Sequence, residues 1–172
     1  MDWLEFAVQW LHVLFAVFWF GGSMYVTFVL MPTMQRIPPA SAREVGRAIM
    51  PRMAMAMRIA GAVVIVLGIV RGIGWGPRNA AGTGFDFAST YGITWSVSIL
   101  LALAIFAIGD GIVGRTARRL YGDDGLWAFA TAGGLPPARF AALAGRLRTA
   151  GLAQLVLFVV ALTCMILMRF GF

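Results

Sequence analysis

The 172-residue chain has a single histidine, His12, and it is the residue best equipped for chemistry. A neutral imidazole can ligate a metal or a haem iron, or pass a proton, close to neutral pH. The series Glu5, Gln9, His12, Ala16, Trp19 and Ser23 follows i, i+3/i+4, i+7 spacing, which predicts one face of a helix. That face carries polar and small groups, so it is expected to turn towards other helices. Trp19 would then wall a pocket, and Gln9 would hold water or a ligand group near the imidazole. A histidine that only hydrogen-bonds a neighbouring helix or relays protons fits the same spacing, and both readings stand at this point.

What else such a centre would use is limited by the composition. With one histidine and no lysine, one chain cannot build a bis-histidine haem or a multi-histidine copper site. The remaining choices are haem with one axial histidine, His–Met ligation, or a site shared between chains. Met165 and Met168, close to Cys164, fall at the same end of the predicted bundle as His12, whereas the Met50, Met53 and Met57 stripe falls at the other and reads as flexible packing. Arg71 lies at a depth comparable to His12. It could pair with a haem propionate or extend to the lipid headgroups. Asp110 is the expected partner of Arg58 or Arg115. The sequence holds no HExxH, no nucleophile elbow and no convincing carboxylate pair. A lone cysteine excludes an intrachain disulfide and a thiolate zinc cluster.

The elements that must position these residues are membrane helices. Hydrophobic residues make up 60% of the chain and charged ones 12%, against roughly 25% charged in soluble domains. A bilayer core of about 30 Å takes roughly 20 apolar residues as a helix. Four stretches qualify, about Phe6–Met31, Met53–Ile73, Tyr91–Val113 and Arg148–Phe170, and short connections between them predict an all-α four-helix bundle in one transmembrane domain. Pro32 should stop the first span; Gly72, Gly74, Gly76 and Pro77 should stop the second. Gly68 and Gly72, with Gly21, Gly22 and Ser23, read as close-approach points rather than phosphate loops.

All 14 basic residues are arginine, and they flank apolar runs instead of alternating with exposed aromatics, which argues against nucleic-acid binding. Arg36, Arg43, Arg47 and Arg52 fall between the first two spans, and Arg115, Arg118, Arg119, Arg139 and Arg146 between the last two. By the positive-inside rule both regions face the cytoplasm of a bacterial inner membrane, and both termini lie on the periplasmic side. Asp2 and Glu5 at the start argue against a cleavable signal peptide. Asp124–Ala132 is expected as a short amphipathic surface turn stopped by Gly133 and Gly134, with Pro136 and Pro137 restarting a helix that runs into the fourth span. Asn79–Ser89 reads as an irregular loop that caps the bundle or lines an entrance.

The run Trp10-Leu-His12-Val-Leu-Phe-Ala-Val-Phe-Trp19-Phe-Gly21-Gly22, ending at Met31-Pro32, resembles the first-helix signature of a group of small bacterial membrane proteins. The group comprises the copper-resistance protein D family, four-helix membrane protoporphyrinogen oxidases and the membrane part of certain urate oxidases. The likeness continues more loosely through Arg43–Gly72. It implies a bundle whose first-helix histidine serves haem or copper. The oxidases are expected to pair that histidine with a lysine that this chain lacks, and the copper transporters to use further histidine or methionine ligands. The leading expectation is therefore a b-type haem protein for electron transfer or sensing, with His12 as axial ligand and Arg71 or Arg78 beside the propionates. Copper transport is the alternative, and an accessory subunit of a larger complex or a homo-oligomer is the third.

Overall fold

The computed structural model describes residues 2–132 and 134–170. Among them the chain is helical, with no strand and one isolated bridge between Arg78 and Phe85. Helix α1 (Trp3–Tyr25) passes through a π-helical segment (Val26–Leu30) into α2 (Met31–Met34). Helix α3 covers Pro39–Trp75, and α4 (Thr90–Ala107) continues through a second π-helical segment (Ile108–Gly114) into α5 (Arg115–Gly122). A 3-10 turn (Gly125–Trp127) and α6 (Phe129–Ala132) then lead to α7 (Ala138–Phe170).

Four continuous rods result, Trp3–Met34, Pro39–Trp75, Thr90–Gly122 and Ala138–Phe170, each long and apolar enough to cross a membrane. They are longer than the apolar stretches alone predict. At 37 residues, α3 extends about 55 Å, well past a 30 Å hydrocarbon core. The reason is that arginine favours helix, so the basic stretches continue the rods instead of ending them. Arg43, Arg47 and Arg52 thus lie on α3, and Arg115, Arg118 and Arg119 on α5. Nor does Pro32 stop the first rod. A proline ring clashes with the carbonyl four residues back in a regular helix; here the wider i→i+5 turn just before it, with Met31 N–H donating to the Val26 carbonyl, relaxes that geometry.

The rods pack in a ring. The first lies mainly on α3, α3 also meets α4, and α4 lies mainly on α7, which closes only lightly onto α1. Most of the apolar surface is turned outward. In the most apolar window of each rod no more than 22% of residues are buried, and Val17, Phe18, Leu100, Val156 and Leu162 are all exposed.

Two cores fill the interior. One joins Trp19, Ala60, Val64, Ile105, Leu155 and Phe158 at mid-bundle. The other, at the arginine-rich end, gathers Leu30, Met34, Met50, Leu120, Tyr121 and Leu147 around Leu126 and Trp127. The 124–132 segment is therefore a plug with a buried apolar face, in place of the surface turn the sequence suggests. Asp124 pairs with Arg43 and lies 3.5 Å from Arg47, tying the plug to α3. The expected stop at Gly133 lies outside the described residues, while α7 does start directly after Pro136 and Pro137. At the opposite end the 79–89 loop caps the bundle, with Phe85 buried against Trp95.

Glycines set the close approaches. A Cβ on Gly72 would run into the Trp95 indole, and one on Gly61 would stand 2.8 Å from both Trp19 and Phe106. Gly74, two residues on, has nothing within 4 Å. We expect Gly72→Ala to destabilise the protein by about 1–3 kcal/mol through overpacking. Gly74→Ala should be neutral or stabilising by about 0.5–1 kcal/mol. Thermal unfolding in detergent compares the two directly; equal effects would remove the packing role given to Gly72.

Candidate functional site at the first-helix histidine

His12 reaches across to α3, where its Nδ1 lies 3.0 Å from the Val64 carbonyl oxygen. A carbonyl can only accept, so Nδ1 carries the proton and donates. In the neutral ring the lone pair then sits on Nε2. No hydrogen bond involves Nε2 among the described residues, and it is not among the buried polar atoms left unpaired, so the protein does not seal it off. A histidine fixed through Nδ1 to a backbone carbonyl, with Nε2 free, is the arrangement that orients metal-ligating imidazoles.

Gly68 lies close beside this contact. A Cβ there would stand 3.1 Å from His12 Cε1, so the ring would have to give by a few tenths of an ångström. On its other side Gly68 offers its own carbonyl to the Trp95 indole N–H, at 3.1 Å. One glycine of α3 therefore receives a side chain from α1 and another from α4.

The register of α1 on α3 is set by further polar contacts nearer the chain start. Asp2 caps α1 by accepting from the Leu4 N–H at 2.9 Å, and its second oxygen accepts from the Trp75 indole at 3.0 Å. These bonds, Trp75's first, hold the Asp2 carboxyl below its ordinary pKa, so it is ionised at neutral pH. One turn further in, Arg71 Nη2 meets Glu5 Oε1 at 2.8 Å. Partners thus descend along α3 as they rise along α1, which places His12 at Val64 and Gly68. Known protein families, curated proteins and solved structures give no match to this chain. The site rests on its own geometry.

Arg71 is the second notable group. Its Nε and Nη1 are buried and have no hydrogen-bond partner among the described residues, although Nη2 is engaged by Glu5. Buried guanidinium nitrogens without acceptors are costly, and a carboxylate or carbonyl brought to them would relieve that cost. Arg71 sits one turn beyond Gly68, about 5 Å along the helix axis, so it stands between His12 and the end of the bundle that holds the termini.

The other residues singled out from the sequence distribute differently. Gln9 is exposed and off the seam, and Val8 takes the buried position there. With about 100° per residue, Gln9 lies some 60° round from His12, at the edge of a stripe that admits both i+3 and i+4 steps. Trp19 is buried at 3% exposure, with its ring edge-on to Phe158 at 4.9 Å. It belongs to the central core, two turns and about 10 Å from His12 along the helix, and so does not wall the imidazole. Met165 and Met168 are half-buried on α7, and neither makes a hydrogen bond to His12 among the described residues. Arg58 does pair with Asp110, at 2.5 Å. No three His, Cys, Asp or Glu side chains converge among the described residues.

The groups present offer one imidazole nitrogen and two unpaired guanidinium donors, and neither described cavity reaches them. A haem needs one axial nitrogen and cationic or hydrogen-bonding groups for its propionates, and His12 Nε2 and the unpaired donors of Arg71 are of those types. The Val64 carbonyl, Gly68 and Trp95 complete this site; the Gly68/Gly72 spacing was the one sequence signal that pointed to them. The tautomer can be read directly. In long-range ¹H–¹⁵N spectra the single histidine should give a protonated Nδ1 and an unprotonated Nε2. A protonated Nε2 would remove the ligand role assigned to it.

Proposed function

We propose that this chain is a multi-pass membrane protein that binds one b-type haem through His12, for electron transfer or for redox or gas sensing. The observation that carries the reading is the Nδ1–H bond from His12 to the Val64 carbonyl, which orients the ring and leaves the Nε2 lone pair for iron. The first-helix likeness to the copper-resistance protein D and membrane protoporphyrinogen oxidase group supports the same assignment, as does the outward apolar surface of all four rods.

In this reading the bilayer is the solvent for that surface, and the arginine-rich end faces the cytoplasm, leaving the termini and the Arg71 end on the periplasmic side of an inner membrane. His12 supplies the axial nitrogen. Arg71, whose guanidinium Glu5 holds in place, would offer Nε and Nη1 to a propionate. The haem would supply a one-electron couple or an open iron position, with its potential tuned by burial and by the hydrogen bond on the axial ligand. With one histidine and no lysine, any further nitrogen ligand would come from a second chain or a partner subunit.

Copper is favoured by one observation: Met31, Met34, Met50, Met53 and Met57 line a common cavity, and thioethers suit Cu(I). That cavity is at the arginine-rich end and does not include His12.

Both readings meet in one preparation. Protein purified from haem-replete cells should show a Soret band, lost in His12→Ala and weakened in Arg71→Gln. Absence of a band, or a band unchanged by His12→Ala, contradicts the haem assignment. Stoichiometric copper that disappears in Met53→Leu would replace it.

A further inference from the structure

The first and third rods each contain a π-helical segment, Val26–Leu30 and Ile108–Gly114, and both border the same cavity of about 590 Å³. Pi-type turns widen a helix, leave backbone groups without their regular partners and recur at functional sites. The first accommodates Pro32, but the second precedes no proline, and its Gly109 opens beside Gln154 on the wall that the first also lines.

The cavity is large enough for a small molecule and far larger than one ion needs. Its wall is mainly apolar; its buried polar side chains include Gln154 and Tyr121, whose hydroxyl donates to the Met34 sulfur, and it carries one ion pair. Gln154, in the middle of α7, is 6% exposed and borders the cavity. Its side chain makes no hydrogen bond among the described residues, and neither of its polar atoms is among those fully shut away from the surface. The amide therefore opens on the cavity with both donor and acceptor free. Its nitrogen sits beside Gly109, 2.9 Å from where a Cβ on that residue would stand, so the glycine of the π-helical segment is what makes room for it. Across the same space Arg58 and Asp110 neutralise each other through bonds of 2.5 and 3.0 Å. The pair thus adds hydrogen-bonding groups to the wall without net charge, its side chains being 43% and 36% exposed. Arg148, exposed like Arg58, is the one further charged residue on its wall.

One opening of the cavity is lateral. Phe28 on the first rod is 57% exposed and Leu152 on α7 is 40% exposed, and both border the cavity. They stand on the seam between α1 and α7, the lightest contact of the ring, where Thr27 faces Gly151. A molecule entering there comes from the surroundings of the apolar surface.

We propose that this cavity binds an uncharged amphipath from the bilayer, with a carbonyl-bearing head hydrogen-bonded by Gln154 and an apolar tail leaving between Phe28 and Leu152. An isoprenoid quinone and a neutral glyceride share that chemistry. The proposal rests on the membrane reading above and not on the haem.

The test uses the full-length protein in detergent, with three ten-carbon probes: a decyl-substituted benzoquinone, monodecanoylglycerol and decanoate. Quinone binding is read as quenching of tryptophan fluorescence, to which Trp19 and Trp127 on the cavity wall contribute; the other probes are read by equilibrium dialysis. Saturable binding of either neutral probe is expected, weakened roughly tenfold in Gln154→Leu by loss of the amide hydrogen bond. Gly109→Ala, which pushes the amide aside, should weaken it too. The neutral probe that binds identifies the source. Saturation by neither, affinity unaltered in both Gln154→Leu and Gly109→Ala, or decanoate binding more tightly than both neutral probes would overturn the proposal. Circular dichroism and elution volume confirm that each variant is folded, so the two substitutions check one another.

Discussion

A side chain of one helix hydrogen-bonded to the main chain of the next is the contact around which this bundle is organised. His12 bonds the Val64 carbonyl close beside Gly68, which presents no Cβ, and the same glycine's carbonyl holds Trp95 of α4. Three helices therefore meet at one residue without a side chain. Among apolar surroundings such contacts matter more than greasy surface, since helices that are already solvated by lipid gain little from burying leucine on leucine. Asp2 on Trp75 and Glu5 on Arg71 extend the seam to the start of α1, and Trp19 on Gly61 extends it inward.

The constraint that builds the seam also selects the histidine's chemistry. Occupying Nδ1 with a carbonyl fixes the tautomer and leaves one basic nitrogen, so the residue that cross-links helices keeps Nε2 free for the ligation we propose. The structural and ligating readings of His12 are thus two ends of one imidazole. Arg71 shows the same double use, with one nitrogen spent on Glu5 and two unspent.

Much of the architecture was legible in the residues themselves. Four apolar stretches gave four rods, Asp110 found Arg58, the Pro136-Pro137 pair restarted a helix, and the Gly68/Gly72 spacing marked a close approach. Hydropathy reports the thickness of a membrane and not the length of a helix, which is why the rods ran past Pro32 and through the arginines. Gln9 was misplaced because an i+3/i+4 stripe is wider than the seam that buries it. The π-helical segments and the cavity between them have no compositional signature beyond Gly109, Gly111 and Gly114. Gln154 did carry a signal, a lone amide in the middle of an apolar run, but its partners depend on which helices close the ring.

The central claim is that iron sits on His12 Nε2, and the chain's single histidine makes it directly measurable. Protein grown with ¹⁵N-histidine carries one labelled imidazole per chain. Resonance Raman spectra of the reduced haem protein should show the low-frequency iron–imidazole band shifting on labelling. A bound haem whose spectrum is indifferent to the label would contradict the account.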